Sequence, residues 1–413
     1  MSERDYRWNF FVNSIDYAFF SLGMTLGSIS TLFPLLARNL GASNVEIGLI
    51  PAVANLGWGI PAILGAKYAE RTRKKLDLVL KVTLGERLPY LFMALVCFFV
   101  AARNAKLALY LSISMLGVAT FSMGFLGPPW MSMIEKVIDK KRRGTFFAVG
   151  NGLGALMGVG GSILARHFLD RYPFPKNFGY SFSTAFAFIM FSFVFLALTR
   201  EAPDEPDPTS GDPSYVRKSL SVFRDKNFRN YILERITNSL MFASSGFVTV
   251  YLMERLSLPD RTVAEFTAAL MISQGVSSFL VGPLGDKLGH KVTLAVGKVL
   301  YALAMVLTAL CRSLPMALSV YALLGFVNTT NMVGSPALTL DLVPRNKKEM
   351  YMGVLYFSIA PFSFAAPLLG GKIADWWGYE SLLLGTALIG VFSTLFLLYF
   401  VEDPRGVERK RAR

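Results

Sequence analysis

Twelve apolar stretches of membrane-spanning length, divided six and six by a polar segment at 200–227, dominate this chain of 413 residues. Crossing the hydrocarbon core of a bilayer takes about 20 apolar residues in a helix. Inside lipid, backbone amides are satisfied only within a helix or a closed barrel. Barrel strands would read as ~10-residue segments of alternating polarity, and these runs are longer and uniformly apolar. The spacing therefore predicts an all-α integral membrane protein with helices over 10–36, 46–66, 77–101, 107–131, 145–167 and 179–199, then 230–253, 263–284, 292–311, 315–340, 351–373 and 380–401. An N-terminal six-helix bundle would occupy 1–199, a linker 200–227, and a C-terminal bundle with a basic tail 228–413.

Charge sets the orientation. Only 17% of residues are charged, against roughly 25% in soluble domains, so lipid must solvate much of the surface. The net charge of +14 is gathered in short clusters between apolar runs, as topology signals are, which argues against nucleic acid as a partner. Arg71, Arg73, Lys74 and Lys75, the cluster Lys140-Lys141-Arg142-Arg143, and the tail Arg409-Lys410-Arg411 all fall on the side that carries both termini. By the positive-inside rule both termini and the linker face the cytoplasm of a cell membrane. The first helix reads as an uncleaved anchor. Within the linker a proline-rich acidic run precedes Val216, Leu220 and Phe223 among basic residues, the pattern of a short amphipathic helix on the membrane face.

The two halves repeat. Ala66-Lys-Tyr-Ala-Glu70-Arg71-Thr-Arg73 comes after span 2, and Gly282-Pro-Leu-Gly-Asp286-Lys287-Leu-Gly289-His290-Lys291 after span 8. Gly160-Gly161 near the end of span 5 echoes Gly370-Gly371 in span 11. Parallel repeats about an axis along the membrane normal build one class of secondary transporters. On these segments the chain resembles the major facilitator superfamily, and the likeness covers nearly its whole length. The first-half loop departs from the signature at Ala66, Glu70 and Arg73. The resemblance implies rocking of two six-helix bundles around a cavity lined by spans 1, 2, 4, 5, 7, 8, 10 and 11. It also implies a cytoplasmic gate from Glu70, Arg71, Arg73, Arg143, Gly282, Asp286, Lys287 and Gly289. Spans 3 and 9 would be peripheral.

Ionisable groups inside spans are costly and are functional candidates by default. Asp16 and Glu234, on spans 1 and 7, are candidates for proton or substrate coupling, joined by Asn238, Asn328 and Asn331. Glu86, Arg87, Arg235, Lys298 and Asp341 form a candidate intramembrane charge network. Neighbours in sequence do not face each other on a helix, so Glu86 and Arg87 should pair across helices. The expected pairs are Arg87 with Asp16 and Lys298 with Asp341.

Two histidines, His167 and His290, and two cysteines, Cys97 and Cys311, offer no metal cluster, and no phosphate loop or nucleophile elbow is present. The chain therefore reads as a transporter without cofactor or metal, working as a monomer on small molecules and protons, and not as an enzyme. Span 5 has glycines without the proline of drug antiporters, and Ile113 stands where they carry an arginine. The first reading is proton-coupled export of small amphiphilic or hydrophobic molecules. The others are an uncoupled or ion-coupled carrier of a polar metabolite or lipid, and, remotely, a membrane sensor.

Overall fold

The computed structural model describes residues 2–139, 142–203, 220–343 and 348–403. The expected amphipathic helix lies partly outside these residues, and its described end, Leu220–Arg224, is a 3-10 turn. Among the described residues ten helices are long and apolar enough to cross a membrane. The last, Tyr351–Phe400, is two helices joined at Gly378, where φ is 80°. The first span completes the twelve as Glu3–Leu26 and, after a break, Leu32–Asn39. It was expected to be continuous over 10–36.

The remaining spans are Asn44–Arg71, Lys75–Val100, Ala105–Val137, Arg143–Arg171, Lys176–Ala197, Lys226–Arg255, Thr262–Leu288, His290–Ala309 and Leu314–Leu342. They form the two six-helix bundles that the repeat predicts. Span 1 packs on spans 5 and 6, span 2 on span 4, and span 8 on span 10. Between bundles, span 2 lies against span 11 and span 5 against span 8.

An even number of spans puts both termini at one end, the terminal end. At the opposite, far end the bundles are clasped. Arg38 pairs with Glu254 at 2.7 Å, Arg261 with Asp170 at 2.8 Å, and Arg166 with Glu265 at 3.4 Å. Asn44 donates to Asp375 at 2.8 Å, Asn39 to Asp260 at 2.7 Å, and the Thr31 and Thr267 hydroxyls meet at 2.7 Å. Acid stands on either bundle opposite base on the other. The charged side chains are largely exposed, so each pair contributes little alone, and the set is a closure that can part. Arg261, facing Asp170, is held in its charged form more firmly than an ordinary arginine. Toward the terminal end, spans 2, 8 and 11 expose Ile63, Leu64, Leu284, Leu288, Tyr356 and Phe357. The fold is thus caught shut at the far end.

Of the expected gate, Gly289 has a defined part: its φ of 99° is open to glycine and strained for other residues, and it turns the chain from span 8 into span 9. Arg71, Arg73 and Lys287 are exposed, and Arg143 donates to the Glu135 carbonyl of span 4. Gly282 has no atom near the position of an added side chain. The side chains of Glu70 and Asp286 lie outside the described residues.

Candidate functional site

A cavity of about 170 Å³ sits between the bundles, lined from spans 1, 5, 8 and 10 by Tyr17, Ser21, Asn151, Met271, Gln274 and Thr329 among others. Tyr17 donates to Asn151 at 2.7 Å, bridging spans 1 and 5. The lining mixes aromatic, thioether and amide groups, and among the described lining residues none is charged.

The coupling candidate Asp16 does not face this cavity. It lies one residue from Tyr17, ~100° around the helix, and points into its own bundle. There Ser192 of span 6 donates to it at 2.8 Å and Arg87 of span 3 approaches to 3.8 Å. Arg87 is 2% exposed and its guanidinium is almost fully used. It donates to the Ile189 carbonyl at 2.9 Å, the Thr83 carbonyl at 3.3 Å, Ser192 at 3.2 Å and Glu86 at 2.5 Å. Phe20 and Phe193 cover its faces at 5.3 and 5.7 Å, a cation–π setting. The pairing of Arg87 with Asp16 is as expected. The pairing of Arg87 with its own neighbour Glu86 is a correction. Span 3 breaks at Thr83 into Lys75–Val82 and Leu84–Leu95, and the long arginine side chain folds back along that break.

The second bundle repeats the arrangement span for span. Lys298 of span 9 meets Glu234 of span 7 at 2.5 Å, Asn238 at 2.5 Å and Ser393 of span 12 at 3.1 Å. Ser393 in turn donates to Glu234 at 3.1 Å. Glu234 is fully buried. Asp16, Arg87 and Ser192 therefore correspond to Glu234, Lys298 and Ser393: a carboxylate, a cation and a serine on spans 1, 3, 6 and again on 7, 9, 12. The expected partner of Lys298, Asp341, gives way to Glu234 because of depth. Lys298 lies eight residues into its helix, ~12 Å at 1.5 Å per residue, whereas Asp341 is one residue from the end of Ser335–Leu342.

Asn238 thus serves Lys298 and not the cavity. Asn328 and Asn331 are half-buried on span 10, Asn331 donating to the Val327 carbonyl at 3.0 Å. The cavity takes Thr329, Met332 and Val333 instead. The π-helical turn Thr330–Gly334 accounts for the shift from Thr330 onward, to Met332 and Val333, since an extra residue in a turn rotates all later side chains about the helix axis; Thr329 precedes the turn. Arg235 stays outside both networks. Sequence reasoning passed over Tyr17, Ser21, Asn151 and Thr329; the polar positions at i and i+4 on span 1, Tyr17 and Ser21, were the available signal.

Comparison with known proteins agrees with this architecture. The family profile described as Major Facilitator Superfamily matches residues 6–162 and 233–413. Multidrug resistance protein D of Escherichia coli K12 is 23% identical over 158 residues, covering 38% of this chain and 40% of that protein. Multidrug resistance protein MdtG of Klebsiella pneumoniae is 25% identical over 162 residues, covering 38% of this chain and 39% of its own length. The matches thus span about two fifths of these relatives. Among solved structures, a D-xylose–proton symporter superposes with a TM-score of 0.74 at 14% identity, covering 97% of this chain and 99% of that one, a likeness of fold.

Proposed function

The chain belongs to the Major Facilitator Superfamily, a family of membrane transporters and not of enzymes, and from that premise we propose that it exports small amphiphilic or hydrophobic molecules in exchange for protons. Its terminal end faces the cytoplasm, so the state described is open inward and shut outward. The boundaries at 199 and 228 divide two bundles that rock as units, and one chain suffices for a transport cycle.

The observation that carries the coupling is the charge balance of the first network. Two carboxylates, Asp16 and Glu86, share one guanidinium, Arg87, at 3.8 and 2.5 Å. A surplus buried negative charge is expensive, and one proton neutralises it. The second network, Glu234 with Lys298, is already balanced. Asp16 holds the looser contact and adjoins Tyr17 on the cavity wall, so proton occupancy at Asp16 can bias how span 1 seats against span 5. The export of amphiphiles is supported by the uncharged, aromatic and methionine-bearing cavity lining and by the names of the partly matching relatives.

The test is proton flux in inverted vesicles holding a pH gradient, with a panel of amphiphilic compounds. Added substrate should collapse the gradient in wild type and fail to do so in Asp16→Asn, in which Ser192 keeps its acceptor. A gradient undisturbed by wild-type protein shown to be folded would replace this reading with uncoupled carriage.

A further inference from the structure

Arg235 is the charged group of span 7 that the networks do not use. Among the described residues no hydrogen bond or ion pair reaches its guanidinium, and its Nη1 is buried without a partner. It lies nine residues into Lys226–Met241, ~13 Å along the helix, too deep for the headgroups to solvate it freely. Arg235 is not among the residues that line the 170 Å³ cavity, but two observations turn its side of span 7 toward that cavity. Asp16 and Glu234 are equivalent positions in the two bundles, so the next residues, Tyr17 and Arg235, are equivalent as well, and Tyr17 lines the central cavity. On span 7 itself the residues one turn either side, Tyr231 and Ser239, reach Thr339 of span 10 and Ser363 of span 11, both on helices expected to line the cavity.

An unpaired guanidinium within a membrane span costs several kcal/mol unless water or an anion meets it. Such a group is kept where an anion arrives from outside the chain. We infer that Arg235 is a binding residue of the central cavity and that the favoured substrates are anionic amphiphiles, with the carboxylate or other anionic head at Arg235 and the apolar body against Met271, Met332 and Tyr17. The inference deepens the transport reading above and rests on it. It goes beyond it in specifying the sign of the head group. Arginine suits the role because its planar fork binds a carboxylate through two parallel hydrogen bonds.

The experiment uses the full chain in nanodiscs and three fluorescent probes with one apolar body: a dansyl-labelled fatty carboxylate, its primary amide and its trimethylammonium analogue. Wild type should bind the carboxylate roughly tenfold more tightly than the amide, a charge-assisted hydrogen bond's worth. Arg235→Gln should abolish that difference while leaving amide binding unchanged, and Arg235→Lys should keep part of it. The glutamine variant should melt no lower than wild type, because no partner is stranded. Equal binding of the three probes by wild type, a carboxylate preference that survives Arg235→Gln, or a fall in its melting temperature would each overturn the inference. If the amide and ammonium probes bind with no advantage to the carboxylate, the amphiphile reading stands alone. If the carboxylate advantage is present but no gradient responds, the proton-exchange reading falls and the assignment of Arg235 holds.

Discussion

Arg87→Met should fold poorly or melt far below wild type, with a loss of about 3–5 kcal/mol, the range for removing one partner of a buried ion pair. The guanidinium is the hub of the first bundle: it ties span 3 to span 6 through Ile189 and Ser192, and to span 1 through Asp16. Methionine fills similar volume, so the cost is electrostatic and not a cavity. It leaves Asp16 and Glu86, both buried at 7% and 6% exposure, without their cation, and removes the side-chain donor to the Ile189 and Thr83 carbonyls. The matching triple variant Asp16→Asn, Glu86→Gln, Arg87→Met removes the charges together and should recover most of the loss, because a buried pair replaced as a unit is close to neutral. Thermal unfolding monitored by size-exclusion chromatography in detergent reads both. An Arg87→Met protein as stable as wild type would show that the network does not hold the bundle. Lys298→Met strands one carboxylate, Glu234, in place of two, and its loss should be smaller.

The membrane spans were legible because charge-poor runs of 20 or more residues have one solution in lipid, and the repeat was legible in the loops because Gly289 and its neighbours serve a turn. The depth of Asp16, Glu234, Arg87 and Lys298 could be counted from the helix starts. Their azimuth could not. Asp16 and Tyr17 look equally well placed for a cavity until the packing of span 1 on spans 5 and 6 assigns one to the bundle interior and the other to the wall. The internal repeat of charge escaped notice for a chemical reason: aspartate matches glutamate and arginine matches lysine, while Ser192 and Ser393 are ordinary residues in apolar helices. The breaks at Thr83 and after Leu26, and the π turn at Thr330–Gly334, change helical phase beside glycines (Gly85, Gly27 and Gly334), but glycines are common in these spans and these three do not stand out in the sequence as phase breaks.

Gly48→Leu should abolish transport while leaving the protein folded, since it opposes one conformation and spares both bundles. A Cβ at Gly48 would overlap the carbonyl oxygen of Pro367 and lie 3.0 Å from its carbon, across the interface between spans 2 and 11. Those atoms are backbone and cannot swing aside as a side-chain tip does. Gly371 makes the reciprocal approach, where a Cβ would lie 2.6 Å from the Asn44 carbonyl oxygen. Overpacking of this kind costs about 1–3 kcal/mol or more, and here the cost falls on the state shut at the far end alone. Every 1.4 kcal/mol is tenfold in a two-state equilibrium, so the far end should stand open in most molecules. The exposed pairs Arg38–Glu254 and Arg261–Asp170 are too weak to oppose this. Gly65→Leu is the control: its Cβ would collide with the Phe125 carbonyl oxygen within the first bundle, so it should damage the fold in either state. To read the conformation, Thr267, which is fully buried and bonds Thr31 across the clasp, is changed to cysteine. A membrane-impermeant maleimide added from the far side should label it slowly in the wild-type background and at least tenfold faster with Gly48→Leu. Retained flux, or labelling as slow as in the parent, would mean that spans 2 and 11 do not form the moving interface. Loss of folded protein on the scale of Gly65→Leu would mean that the contact belongs to the fold and not to the cycle.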